Sequence, residues 1–156
     1  MGQFDPTVTL LRLLPPFGKY GTMEQSSILY RDFVTSIVGF NDLCMQANGE
    51  AVWVVQCESS EAEQTWAVYP DGSIWPQQNR DRCLTSSDNH SKGRIIIISG
   101  CSSGSEGQRW VFMNVGTILN LKNGMVMEVK GSDPSLHQII IWEVTENPNQ
   151  KWLSLL

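Results

Sequence analysis

GQRWVFMNVGTILNLKNG, residues 107–124, carries the pattern that decides the fold. A Gln-x-Trp triplet opens it at Gln108–Trp110, and Gly116 follows that tryptophan by six residues inside "VGTI". The same arrangement stands earlier, with Gln64–Trp66 and then Gly72 inside "DGSI". A third triplet, Gln150–Trp152, lies near the end, and the three are spaced by 44 and 42 residues. Upstream of them, "LCMQ" at 43–46, "RCLT" at 82–85 and "MVME" at 125–128 stand in matching phase.

Each repeat reads as short strands. "AVWVVQC" (51–57), "RIIIISGC" (94–101) and "QIIIWEV" (138–144) are apolar or β-branched runs bounded by Gly, Asn, Asp and Ser. "NGE" at 48–50 and "PDGS" at 70–73 are hairpin turn signals. No segment carries a helical period of useful length. A unit of about 40 residues cannot bury its own apolar face, so three units must share one core. The expectation is all-β: a threefold set of four-stranded units. Trp66, Trp110 and Trp152 are then equivalent core residues. Their glutamines must bond nearby backbone, because a buried amide needs partners.

The bulk numbers bound the function. At 156 residues the chain is long enough for one domain with a real core. Only 17% of residues are charged, which suits a loop-rich β-protein. The net charge is −5 with no basic block, so nucleic acid is excluded as a partner, since phosphate binding needs clustered Lys and Arg. No run of about 18 apolar residues exists to span a membrane. The four cysteines form no Cys-x-x-Cys pair, and His90 and His137 show no ligand spacing to them, so neither a metal nor a cofactor is expected. No serine sits in a Gly-x-Ser-x-Gly elbow and no catalytic pair is visible, so an enzyme is not expected.

The repeats favour the pairings Cys44–Cys57 and Cys83–Cys101 over free thiols. Each disulfide closes a short loop, worth about 3 kcal/mol in the chain-entropy model. Disulfides imply an oxidising compartment, as does the glycosylation sequon at Asn89. The first 27 residues, "MGQFDPTVTLLRLLPPFGKYGTMEQSS", read otherwise. They lack a basic start, Arg12 interrupts the leucines, and Pro15-Pro16 ends the run, which makes a poor signal peptide. Pro6 defeats a myristoylation motif. Residues 1–32 are expected to be a loosely packed linker or truncated neighbour, with the domain proper at 33–156.

With "GFNDLCMQANG" (39–49), "WAVYPDGSIWPQQNRDRCLTS" (66–86) and "SDPSLHQIIIW" (132–142), the three Gln-x-Trp repeats closely resemble the ricin B-type lectin family. The likeness is to the C-terminal domain of the galactose-binding B chain of type 2 ribosome-inactivating proteins, over about residues 33–156. It implies a β-trefoil of three subdomains, alpha, beta and gamma. It also implies a secreted or vacuolar plant protein that binds glycans of the galactose or N-acetylgalactosamine type. In complete members of the family a preceding lectin domain and a toxic A chain are partners, and neither is in this sequence.

In that family an acid on the first strand of a subdomain accepts bonds from galactose hydroxyls. A ring two positions before the second cysteine, or its equivalent, stacks on the apolar sugar face. An Asn and the Gln of Gln-x-Trp complete the pocket. The alpha subdomain holds Gln46, Val55 and Glu63 in these roles, and the beta subdomain Thr85, Ser99 and Gly107, so neither is expected to bind. The gamma subdomain keeps Trp142, Asn149 and Gln150, with Ile140 in the wall. Its acid is Glu128, where working sites carry Asp, and Thr145 stands where a histidine is usual. The resemblance thus implies at most one, weakened, gamma site. The rival reading is a degenerate trefoil without sugar binding, acting as a structural or protein-interaction module.

Overall fold

The computed structural model describes residues 33–86 and 91–155. The expected loose packing of residues 1–32 and the modification of Asn89 lie outside the described residues. Among the described residues twelve short strands follow in order: β1 (Phe33–Val38), β2 (Cys44–Asn48), β3 (Ala51–Val55), β4 (Trp66–Val68), β5 (Ile74–Pro76), β6 (Arg82–Thr85), β7 (Ile97–Gly100), β8 (Trp110–Phe112), β9 (Ile118–Asn120), β10 (Val126–Val129), β11 (Ile139–Trp142) and β12 (Leu153–Leu155). Helical structure among the described residues is confined to three-residue 3₁₀ turns. The strands fall into three units of four, β1–β4, β5–β8 and β9–β12, each containing one Gln-x-Trp triplet or its continuation.

Pairing is antiparallel throughout. The second and third strands of each unit form a hairpin: β2 with β3, β6 with β7, β10 with β11. The barrel closes where β1 meets β12, with Ile37 opposite Ser154 and Val38 opposite Leu153. Alternation along the hairpins sends one face inward. Met45, Val52, Val54, Leu84, Ile98, Met127, Val129, Ile139 and Ile141 join one core with the three repeat tryptophans. The intervening residues Gln46, Trp53, Thr85, Glu128 and Ile140 stand on the opposite face, where the period of two places them.

The threefold relation extends to individual bonds. The indole N–H groups of Trp66, Trp110 and Trp152 donate to the backbone oxygens of Met45, Leu84 and Met127, at 2.9, 3.0 and 3.1 Å. Gly72 and Gly116 link successive units. Their carbonyls accept from the amides of Trp110 and Trp152, at 2.8 Å each. Both glycines sit at positive φ, +95° and +99°, which an L side chain rarely adopts. Cys44 is bonded to Cys57 and Cys83 to Cys101. The third repeat has buried Val126 at the corresponding place on β10.

Candidate functional site

The three Gln-x-Trp glutamines build the same small network three times. Gln64 Nε2 donates to Gln46 Oε1 and to the Gln56 carbonyl, both at 2.9 Å, while its Oε1 accepts from the Glu58 amide. Gln108 Nε2 donates to Thr85 Oγ1 at 3.1 Å and to the Gly100 carbonyl, and its Oε1 accepts from the Ser102 amide. Gln150 Nε2 donates to Glu128 Oε1 at 2.8 Å and to the Glu143 carbonyl at 2.7 Å, and its Oε1 accepts from the Thr145 amide. Each glutamine therefore ties a loop to the residue at the acid position of its own repeat. The expected backbone bonds are present, and a side-chain bond to the acid position accompanies them.

In the gamma repeat this network holds a carboxylate. Glu128 lies on β10 and is only 7% exposed. Its Oε1 takes the amide N–H of Gln150, and no described residue bonds Oε2. The charge-assisted bond fixes the longer side chain in one place. Ile140 stands directly opposite Glu128 across the β10–β11 pair, and Trp142 stands two residues further along β11, opposite Val126. Glu128, Ile140 and Trp142 therefore share one face of the hairpin, with the indole half-buried. The 3₁₀ turn Pro148–Gln150 brings in the amides. Asn149 Nδ2 donates to the Val129 carbonyl at 3.0 Å, and its buried Oδ1 has no partner. Thr145 helps shape the loop, its Oγ1 accepting from the Asn147 amide at 3.2 Å.

All five residues expected at the gamma site, Glu128, Ile140, Trp142, Asn149 and Gln150, thus come together around one hairpin face. What they offer is a carboxylate oxygen, Glu128 Oε2, that no described residue bonds, the buried Asn149 Oδ1 without a partner, and a half-buried indole on the same hairpin.

The other two repeats differ for visible reasons. In the beta repeat, Thr85 Oγ1 and Ser99 Oγ lie 2.8 Å apart and satisfy each other. A Cβ at Gly107 would stand 2.6 Å from the Ser86 carbonyl oxygen, so backbone occupies the space of an Asn side chain. In the alpha repeat the acid position is the neutral Gln46, and Val55 replaces the ring. Trp53, however, stands opposite Gln46 as Ile140 stands opposite Glu128. It is 37% exposed and stacks on His137, with centroids 5.0 Å apart and the planes inclined at 16°. The two-residue step from Trp53 to Val55, matching Ile140 to Trp142, is the signal in the sequence that locates it. A separate cavity of about 430 Å³, lined in part by Glu50, Glu63, Asn79 and Arg82, contains no aromatic ring and so no sugar platform.

One further neighbour of the gamma pocket was not legible in the repeat. Lys92 Nζ lies 5.1 Å from the Trp142 ring centroid and 3.3 Å from Glu143 Oε1. Among the described residues no three His, Cys, Asp or Glu cluster in a way that would hold a metal ion.

Three units of four strands around a shared tryptophan core define a β-trefoil, and one of its three repeats brings together an acid, a ring and paired amides. Residues 33–152 match the family model of the ricin-type beta-trefoil lectin domain, and the chain belongs to that family. Beta-galactoside-specific lectin 3 of Viscum album is 59% identical over 118 residues, covering 76% of this chain and 21% of that protein. The solved agglutinin from Abrus precatorius superimposes with a TM-score of 0.77 at 53% identity, covering 81% of this chain and 48% of that one. A non-toxic homologue of type II RIPs from Momordica charantia, solved in complex with alpha-methyl-D-galactoside, matches with a TM-score of 0.75 at 34% identity, covering 80% and 48%. The chain spans about a fifth of the length of the curated relatives it matches.

Proposed function

We propose that this domain is a lectin for galactose-type sugars with a single binding site, in the gamma repeat. The observation that carries the reading is the buried Asn149 Oδ1, which has no partner, together with the Glu128 carboxylate, which spends only Oε1 on Gln150, on the hairpin that carries the half-buried ring of Trp142. A buried acceptor without a partner costs about 1–3 kcal/mol, which a donor hydroxyl would offset. A pyranose supplies two such hydroxyls together with an apolar face suited to an indole. The galactoside in the Momordica charantia relative and the printed specificity of the Viscum album relative point to the sugar class. The domain's part is to bind glycans, not to catalyse.

One exposed site of this kind binds at roughly 1 mM, about −4 kcal/mol. Useful adhesion then needs linked sites, from a preceding lectin domain or from self-association. The two disulfides fit a secreted or vacuolar setting, where a toxic A chain would be a further partner.

Titration with methyl galactoside, followed by ligand-observed NMR, tests the reading. Trp142→Ala should abolish binding by removing the platform. Glu128→Gln keeps the shape but removes the charge, and should weaken binding about tenfold, the scale of one charge-assisted bond. Gln46→Ala and Thr85→Ala should bind as wild type does. Undiminished binding by Trp142→Ala would remove the sugar from the gamma pocket. A wild-type domain that binds no galactoside would instead support the structural or protein-interaction module.

A further inference from the structure

The sheet around the gamma pocket does not end at β11. Ile95 forms an antiparallel bridge with Ile140, the Gly93 amide donates to the Ile141 carbonyl at 2.7 Å, and the Ile141 amide donates to the Arg94 carbonyl at 2.9 Å. Residues 92–95, from the second repeat, thus run along the edge of β11 that faces away from β10. The run bulges at its end, where Gly93 and Arg94 both bond Ile141 and Gly93 has φ +92°. An ideal Cβ on Gly93 would lie 3.5 Å from the indole Cζ3, so the ring leans over this glycine. Lys92 then places its ammonium 5.1 Å from the ring centroid, and Glu143 Oε1 holds that ammonium at 3.3 Å. The Glu143 carbonyl is itself held by Gln150, which grips Glu128. A continuous chain of contacts therefore runs from Glu128 through Gln150 and Glu143 to Lys92 and back onto the ring.

We propose that Lys92 is a positioning residue for the sugar platform. It braces Trp142 from the edge of β11 away from β10. The proposal rests on the galactoside reading of the gamma pocket. The brace is electrostatic: an ammonium over an aromatic face is attracted by the ring quadrupole. The contact commits an otherwise mobile half-exposed indole to one orientation before the sugar arrives, so less ordering is left to the binding step. It also joins two repeats at one site, because Lys92 belongs to the second repeat and Trp142 to the third.

Two measurements on the 156-residue chain separate the brace from the sugar. The first uses no ligand. Tryptophan oxidation by N-bromosuccinimide, mapped by mass spectrometry, should proceed several-fold faster at Trp142 in Lys92→Ala than in wild type. Lys92→Arg should stay near wild type, because a guanidinium also stacks on an aromatic face. Unchanged Trp142 reactivity in Lys92→Ala would overturn the brace. The second is methyl galactoside affinity, which should fall about two- to fivefold in Lys92→Ala, the scale of an exposed cation–π contact, and recover in Lys92→Arg. Faster oxidation with unchanged affinity would overturn the positioning role. Faster oxidation in a domain whose wild type binds no galactoside would keep the brace, overturn its service to a sugar, and refute the galactoside reading.

Discussion

Trp110 and Trp142 differ in what surrounds the indole. Trp110 is buried among core residues from all three repeats, and its N–H bonds the Leu84 carbonyl. Trp142 is half-buried at the end of β11. Trp110→Ala should therefore cost about 3–5 kcal/mol in chemical denaturation, the usual range for deleting a large buried aromatic. Trp142→Ala should cost about 1 kcal/mol or less, as a substitution near the surface does. Equal losses would show that Trp142 is a core residue and no platform. The sequence distinguished the two tryptophans because only Trp110 belongs to a Gln-x-Trp triplet. It did not show that Gln150 would spend its amide on Glu128, because that bond depends on a 3₁₀ turn folding back onto a strand 22 residues earlier. Nor did it show Lys92, whose partner ring lies fifty residues away.

At the scale of elements, the turns that join the units are as constrained as the strands. Gly72 has φ +95°, and an added Cβ would stand 3.0 Å from the Trp110 carbonyl oxygen and 3.1 Å from its amide nitrogen. Gly49, in the β2–β3 turn, has φ +64° with nothing within 4 Å of such a Cβ. Gly49→Ala should then lose only the left-handed backbone cost, about 1 kcal/mol. Gly72→Ala adds crowding against the neighbouring unit and should lose about 2–3 kcal/mol. Urea denaturation of the pair isolates that crowding, and equal losses would contradict it. The "DGS" and "NGE" signals announced both turns, but nothing local in "DGSI" announced that its glycine abuts the next repeat's tryptophan.

For the whole molecule, the closing contact is the pairing of β1 with β12, the first and last described strands. Cutting the chain after Trp152 removes that pairing and uncovers one edge of β1 beside fully buried Ile37. Backbone bonds contribute about 1 kcal/mol each, against a total stability of about 5–15 kcal/mol for a domain. Removal of residues 153–156 should therefore lower the urea midpoint steeply and speed proteolysis throughout the domain. A midpoint within error of the full chain would mean that the barrel does not depend on this closure. Reducing both disulfides should cost about 3 kcal/mol for each loop closed, measured as the difference between oxidised and reduced unfolding curves.

By itself the sequence determined the three repeats and their tryptophan core and favoured the cysteine pairing, because a 40-residue unit with period-two runs can bury its apolar residues only by sharing a core with its copies. Which repeat keeps both an acid and a ring was implied by the family resemblance. Tertiary structure alone decided how the unlike copies meet: Trp110 against Gly72, Trp53 on His137, and Lys92 over Trp142. Those contacts join residues that no shared period relates, so only the closed barrel brings them within reach.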